Sequence, residues 1–112
     1  MATTPRIFGQ IKPGPSPQEN EVLYQVPLNT KAQITLFVCN QSENSADQFR
    51  IQLIRPAPFP NDASTFIAYN TLLINNGVFA FSSIGINEGD TVAVGSVGGH
   101  CSFTLTGIEF TN

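Results

Sequence analysis

Cys101-Ser102-Phe103-Thr104-Leu105-Thr106 alternates apolar side chains with small hydroxyl side chains at a strict period of two. Successive side chains of an extended strand point to opposite faces, so this stretch reads as a strand with one face in a core. Phe49, Ile51 and Leu53 alternate with Arg50 and Gln52 in the same way, which predicts a second strand whose polar residues lie on the open face. Outward from these two, short alternating runs are separated by clusters of Asn, Ser, Asp, Gly and Pro. They predict strands near 21–26, 32–39, 48–55, 65–74, 78–83, 91–97 and 101–108, with an extra extended piece near 6–11. No stretch carries the period of a long amphipathic helix.

About seven strands in one domain are too many for a single stable flat layer, so two antiparallel sheets packed face to face are expected. The predicted fold is an all-β sandwich with jelly-roll or Greek-key connections. Asn76-Gly77, between the runs that end at Ile74 and restart at Val78, predicts a two-residue type I′ hairpin turn, since both residues tolerate positive φ. Pro56, Pro58 and Pro60 remove backbone donors and stop the third strand of the domain, and the loop from Pro56 to Ser64 is expected to cross between sheets.

Residues 1–20 differ from residues 21–112. They hold Pro5, Pro13, Pro15 and Pro17, half of the eight prolines, with Ile7, Phe8 and Ile11 as the only large aliphatic or aromatic groups. Such a segment cannot bury enough apolar surface to fold alone, and its prolines favour an extended path. It reads as an N-terminal arm on a sandwich domain. With Arg6 and Lys12 against Glu19 it is net positive, whereas the rest of the chain is net negative. Arg6, Ile7, Phe8, Ile11 and Lys12 are therefore expected to contact a neighbouring chain by strand addition rather than their own sandwich.

Charged residues make up only 12% of the chain, about half the usual share, while Asn, Gln, Thr and Ser supply 35 of the 112 residues. The surface must be polar without being charged, which suits close packing and hydrogen bonding. A net charge of −3, with five scattered basic residues, argues against a nucleic-acid partner. No apolar run approaches the length of a membrane-spanning helix, and the first twenty residues lack the apolar centre of a secretion signal. Cys39 and Cys101 read as buried free thiols, with a single Cys39–Cys101 bridge as the alternative.

Candidate chemistry is sparse. His100 is the only histidine, and it follows Gly98-Gly99 at a predicted hairpin tip, where it reads as an exposed loop residue rather than a ligand or a base. Gly95, Gly98 and Gly99 precede no helix and so lack the N-terminus of a phosphate loop. Glu88-Gly89-Asp90 and Asn61-Asp62 offer oxygen atoms but not calcium-loop spacing, and read as turns. No catalytic group, metal or cofactor is called for. More informative is a surplus of apolar residues at the wrong parity: if Ile34, Leu36 and Val38 face the core, Phe37 and Cys39 face outward, and Ile67 and Tyr69 pose the same choice. These four are the candidate oligomer face, covered by a second copy, or else explained by a bend or bulge in the sheet or by the N-terminal arm folding back.

Several segments, taken in order, resemble a group of small virion proteins of tailed phages, especially cyanophages. They are Leu23-Tyr24-Gln25-Val26-Pro27, Val38-Cys39-Asn40-Gln41-Ser42, Phe49-Arg50-Ile51 leading to Arg55-Pro56, Ile67-Ala68-Tyr69, Gly89-Asp90-Thr91-Val92 and Phe103-Thr104-Leu105-Thr106-Gly107. The likeness runs from about Val22 to Phe110. The Leu28-Asn29-Thr30 turn lacks the glycine of that group, and the Pro-rich segment is longer. The resemblance implies capsid decoration or cement: a small β-domain on the outer shell that ties neighbouring major capsid subunits together. The second apolar face predicts a homo-oligomer, a trimer or alternatively a dimer. The implied location is the virion surface, after assembly in a host cytoplasm. The alternative is a carbohydrate- or receptor-binding module of a tail or fibre, gripping sugars through Asn-rich loops and exposed Tyr24 or Tyr69.

Overall fold

Every stretch of alternating apolar residues becomes a strand. The computed structural model describes residues 5–16 and 19–111, and in chain order the strands are β1 (Arg6–Ile11), β2 (Glu21–Gln25), β3 (Thr30–Asn40), β4 (Asp47–Ile54), β5 (Phe66–Leu73), β6 (Val78–Ile86), β7 (Thr91–Ser96) and β8 (Cys101–Thr111). A single 3-10 turn, Ala63–Thr65, precedes β5 and is capped by the Asp62 carboxylate. The count is eight rather than seven, because the extended piece near 6–11 joins the sheet as a full member.

The strands form two four-stranded antiparallel sheets, β1-β8-β3-β6 and β2-β7-β4-β5. Pairing runs first with eighth, second with seventh, third with sixth and fourth with fifth, as in a long hairpin folded over on itself. The β3–β8 and β4–β7 ladders then close each sheet. Ile34, Leu36, Val38, Phe103 and Leu105 from the first sheet meet Phe49, Ile51, Val92 and Val94 from the second in one core, a β-sandwich. Phe49 is its centre, with ring contacts to Phe79, Phe81 and Phe103 across the gap. Each such side chain contributes roughly 1.5–3 kcal/mol by leaving water.

Three local expectations are corrected. The turn before β6 is centred on Asn75-Asn76, with Asn76 at φ 58° and the Gly77 N–H donating to the Ile74 carbonyl. It joins strands of different sheets, so β5 and β6 are not a hairpin. Gly77 is needed for closeness instead of torsion, since a Cβ there would lie 2.8 Å from the Ile74 carbonyl oxygen. The loop after Arg55 returns to the same sheet, because β5 pairs with β4. The polar face of β4 is not open: Arg50 and Gln52 are buried along with Phe49 and Ile51.

What buries them is the N-terminal segment, which over the described residues lies against the same two sheets, with β1 as an edge strand of the first. Residues 1–4, 17 and 18, part of the expected arm, lie outside the described residues, as does Asn112. β1 pairs with β8, Ile11 lies opposite Phe103, and Phe8 stacks on Tyr24 with ring centroids 4.8 Å apart. Beyond β1 the chain crosses over the outer face of the second sheet. There Ser16 N–H donates to the Ser96 carbonyl, and the Arg50 guanidinium donates to the carbonyls of Ser16 (2.9 Å) and Glu19 (2.8 Å) and to Asn20 Oδ1 (2.9 Å). Asn20 in turn donates to Gln52, which also binds Asn61 and Thr65. Prolines leave carbonyls without a ladder to join, and a buried guanidinium with five donors is what collects them. A Cβ at position 95 would collide with Asn20 and Arg50, so Gly95 makes the room for this network.

Replacing Arg50 removes a charged donor and takes its hydrogen bonds from the Ser16 and Glu19 carbonyls. Arg50→Ala is expected to cost about 3 kcal/mol in urea unfolding, and Arg50→Lys to recover only part of it, since an ammonium cannot span the same fork. Limited proteolysis should then cut first within residues 12–20. An Arg50→Ala protein as stable and as protease-resistant as the parent would show that the crossing is held by other contacts.

Candidate assembly surface

The β3–β8 ladder runs through eleven residue pairs, Thr30–Thr111 to Asn40–Cys101, with no break in register. Its outward positions are therefore fixed: Lys31, Gln33, Thr35, Phe37 and Cys39 on β3 stand opposite Phe110, Ile108, Thr106, Thr104 and Ser102 on β8. Val78 and Ala80 of β6 extend this face beside Cys39 and Phe37, and Ile7 and Gln10 of β1 extend it beside Thr106 and Thr104. Lys31, at one end, is the only charged side chain among these positions. Gln10 and Gln41 donate to Thr104 and Ser102, so the hydroxyls form a polar weave around exposed Phe37. The outer face of the second sheet is different, because the crossing segment and the loop carrying Asn61 and Thr65 lie on it.

The face borders a second neutral feature. Between Asp62 and Glu88 there are 25 consecutive residues without a charge. They contain β5 and β6, which are the terminal strands of the two sheets, so this side of the sandwich is uncharged along both strands, with Arg55 and Asp90 bordering it only at the end near Ile67 and Gly85. Leu72, Ile74, Val78 and Phe79 are exposed along it.

The four residues proposed as one oligomer face do not share one. Phe37 and Cys39 lie on the outer face of the first sheet. Tyr69 is on the outer face of the second, edge-on to Phe66 at 5.0 Å, and Phe66 pairs with Gln52. Ile67 faces the side of the sandwich, in a depression shared with Leu53, Gly85 and Ile86. A positive φ of 46° at Asn70 and the register shifts of the β4–β5 ladder account for the change of parity along β5.

Of the five N-terminal residues, Arg6 pairs with Glu109 and lies over the Phe8 ring, and Phe8 and Ile11 pack against the core. Ile7 and Lys12 are left exposed. Tyr24, expected to be exposed, is half-buried between Phe8 and Glu109 and donates to the Glu109 carboxylate at 2.5 Å. Burial and that carboxylate raise the Tyr24 pKa, while the Tyr24 hydroxyl and Arg6 hold Glu109 below its usual range.

The end of the sandwich at His100 is organised by Asp47, which the sequence did not single out. Asp47 Oδ1 accepts from the N–H groups of Gln48 and Gly98, both at 2.7 Å, and Oδ2 from His100 N–H at 2.9 Å and from the Ser96 hydroxyl. The His100 ring itself is not engaged in this cluster. Glu88 and Asp90 accept from the backbone of Asn29 and Asn87, which is turn chemistry. Among the described residues no group of three or more His, Cys, Asp or Glu is placed to hold a metal ion. Cys39 and Cys101 are free thiols: Cys101 points into the core and Cys39 out of the first sheet, which leaves no bridge between them.

Comparison with known proteins finds no matching family model, curated protein or solved structure. The chemistry of the surface must therefore speak for itself.

Two measurements follow from this end of the molecule. Burial alone would raise the Asp47 pKa, but the Ser96 hydroxyl and three backbone donors outweigh it and lower the pKa below the ordinary 3.8. A carboxyl whose folded value is depressed contributes stability that is fully present above its unfolded value and lost as pH falls through the folded one. Asp47→Asn should thus be less stable than the parent at pH 7, and the gap should close below pH 3.8; a gap independent of pH would show that the charge is not what stabilises the loop. Burial, with Asp47 nearby, also pushes the Cys101 thiol up to about 12. A thiol reagent at neutral pH should label Cys39 alone in the folded protein and both cysteines after denaturation, and equal labelling without denaturant would contradict this placement.

Proposed function

We propose that this protein is a structural component of a particle shell, a decoration protein of the phage-capsid type that sits on the outer surface and bridges major capsid subunits. The strand order β1-β8-β3-β6 over β2-β7-β4-β5 is that of an eight-stranded jelly roll, an architecture that viral capsid and lectin domains share. An architecture hosts many functions, so the reading rests on the surface. The observation that carries it is the outer face of the first sheet, almost free of charge and centred on Phe37, 41% exposed. Such a face can be buried against protein without stripping water from ions, which is the main cost of burying a charged face. Threonine and glutamine side chains supply the hydrogen bonds that fix orientation, and exposed Ile7, Val78 and Phe110 supply apolar area. Repeated around a shell, many modest contacts sum to a large stabilisation through multivalency.

Purified particles should contain the chain, and shells stripped of it should break at lower temperature. Phe37→Glu, on an exposed position, should leave the domain folded and reduce shell binding by roughly tenfold or more, as expected for a charge placed at the centre of an interface. Absence of the chain from particles, or shells equally heat-stable without it, would end this reading. Binding of a defined glycan, abolished by Tyr69→Ala and untouched by Phe37→Glu, would move the function to carbohydrate recognition.

A further inference from the structure

We infer that the protein forms a twofold dimer through the open edge of β6, with the β6 strands of two copies paired antiparallel about Ala80. The inference concerns the isolated protein and needs no shell, so it stands or falls separately from the function proposed above.

Both sheets end in two edge strands, and the two sides of the sandwich treat them differently. On one side β1 and β2 are short, at six and five residues; register shifts occur on both sides, so length, proline and charge make the difference. Prolines flank them at positions 5, 13 and 27, and Arg6, Glu21 and Glu109 supply charge. Short strands, bulges, prolines and charges are how edges are kept from pairing with other chains. On the other side, β5 and β6 run eight and nine residues with no proline and no charge. Val78 is 66% exposed and Phe79 45% exposed on this undefended edge.

The geometry selects β6 and its register. The Asn40 N–H donates to the Gly77 carbonyl, so the hydrogen-bonded pairs of the β3–β6 ladder fall at Val38–Phe79 and Leu36–Phe81. Alternation then turns the N–H and C=O groups of Val78, Ala80 and Ser82 to the open side. The stretch ends at Ser83, whose φ of 60° marks the bulge. What remains, Val78-Phe79-Ala80-Phe81-Ser82, is nearly symmetric about Ala80. Antiparallel pairing about that residue sets Ala80 against its own copy, Phe79 against Phe81 of the other copy, and Val78 against Ser82. All three outward-directed pairs of backbone groups find partners, giving up to about six hydrogen bonds.

A second copy is the occupant that this pattern fits. Ala80 forms the central hydrogen-bonded pair, and the Phe79–Phe81 pairs on either side fall at the non-hydrogen-bonded positions, where side chains come closer. Phe79 and Phe81 point to the inner side of the sheet, where they are 4.9 Å apart within one copy and touch Phe49. Phe79 against the other copy's Phe81 would extend that aromatic row across the axis and cover the exposed part of Phe79. Charge supports the same partner: two molecules of net charge −3 can meet edge to edge here because the 25-residue neutral run puts no carboxylate at the contact. The trimer expected from the second apolar face would leave this self-complementary register unused.

Analytical ultracentrifugation of the full chain should give twice the 12.1 kDa chain mass, with concentration-dependent dissociation. Ala80→Pro removes an N–H that points away from β3, a position where an edge strand tolerates proline, so the monomer should stay folded while the dimer dissociation constant rises at least about tenfold. Val78→Lys and Ser82→Asp form a second test that does not depend on the proline variant folding. Each alone should weaken self-association, and an equimolar mixture should restore a mixed dimer, because the introduced charges face each other across the axis. A parent protein that is monomeric at high concentration or trimeric, a folded proline variant that dimerises as the parent does, or charge variants whose mixture recovers nothing would overturn the inference.

Discussion

Arg50 is a cation with no carboxylate among its hydrogen-bond partners in the described residues, and the path of the N-terminal segment follows from that. A guanidinium buried to 1% exposure must have its donors satisfied, and in this molecule they are satisfied by carbonyls of the segment that links β1 to β2. The link is therefore drawn down onto the second sheet. Once it lies there, Pro15 bridges to Ser96, Pro13 is buried, and β1 has one place to be, along β8. Every described buried side-chain nitrogen or oxygen has a hydrogen-bond partner, and the Arg50 cluster is the largest group that had to meet this condition.

The same residue marks where reading the sequence stops working. Alternation located all eight strands, because a period of two is a property of the chain and survives any topology. Burial on the second face of β4 is not such a property. Arg50 and Gln52 look like the solvent side of a strand, and only the arrival of a segment thirty residues upstream makes them interior. The Pro-rich segment is the matching case: its composition cannot support independent folding, but a segment that docks on a preformed sheet does not have to fold independently. Asn76-Gly77 carried the residue types of a hairpin turn, yet whether two consecutive strands pair is decided by which sheet each joins.

The candidate surface was half legible. The outward parity of Phe37 and Cys39 followed from β3 alone, and the regular β3–β8 ladder kept it. Ile67 and Tyr69 were separated because β5 shifts register against β4 between Phe66 and Ala68, where Ile67 is the extra residue. No periodicity argument reveals a bulge in advance. The neutral run from Ala63 to Asn87 was visible throughout, but it gained meaning only when β5 and β6 proved to be terminal strands on one side of the sandwich.

Charge is distributed to match. Arg6, Lys12, Glu19, Glu21 and Glu109 gather on the β1–β2 side, and Lys31, Arg55, Asp62, Glu88 and Asp90 at the end where β2 leads into β3. Glu43 and Asp47 occupy the opposite end, which leaves β5 and β6 themselves without any, Arg55 and Asp90 reaching that side only at its Ile67–Gly85 end. At physiological ionic strength screening acts over about 8 Å, so these groups cannot steer a distant partner, but they do govern contact. A copy approaching with its charged edge or loop ends must desolvate ions and meets a molecule of like net charge, whereas on the neutral side neither cost arises. The few charges thus do their work by exclusion. They leave the orientation of any close association to the one side where backbone hydrogen bonds and apolar contact can form without opposition.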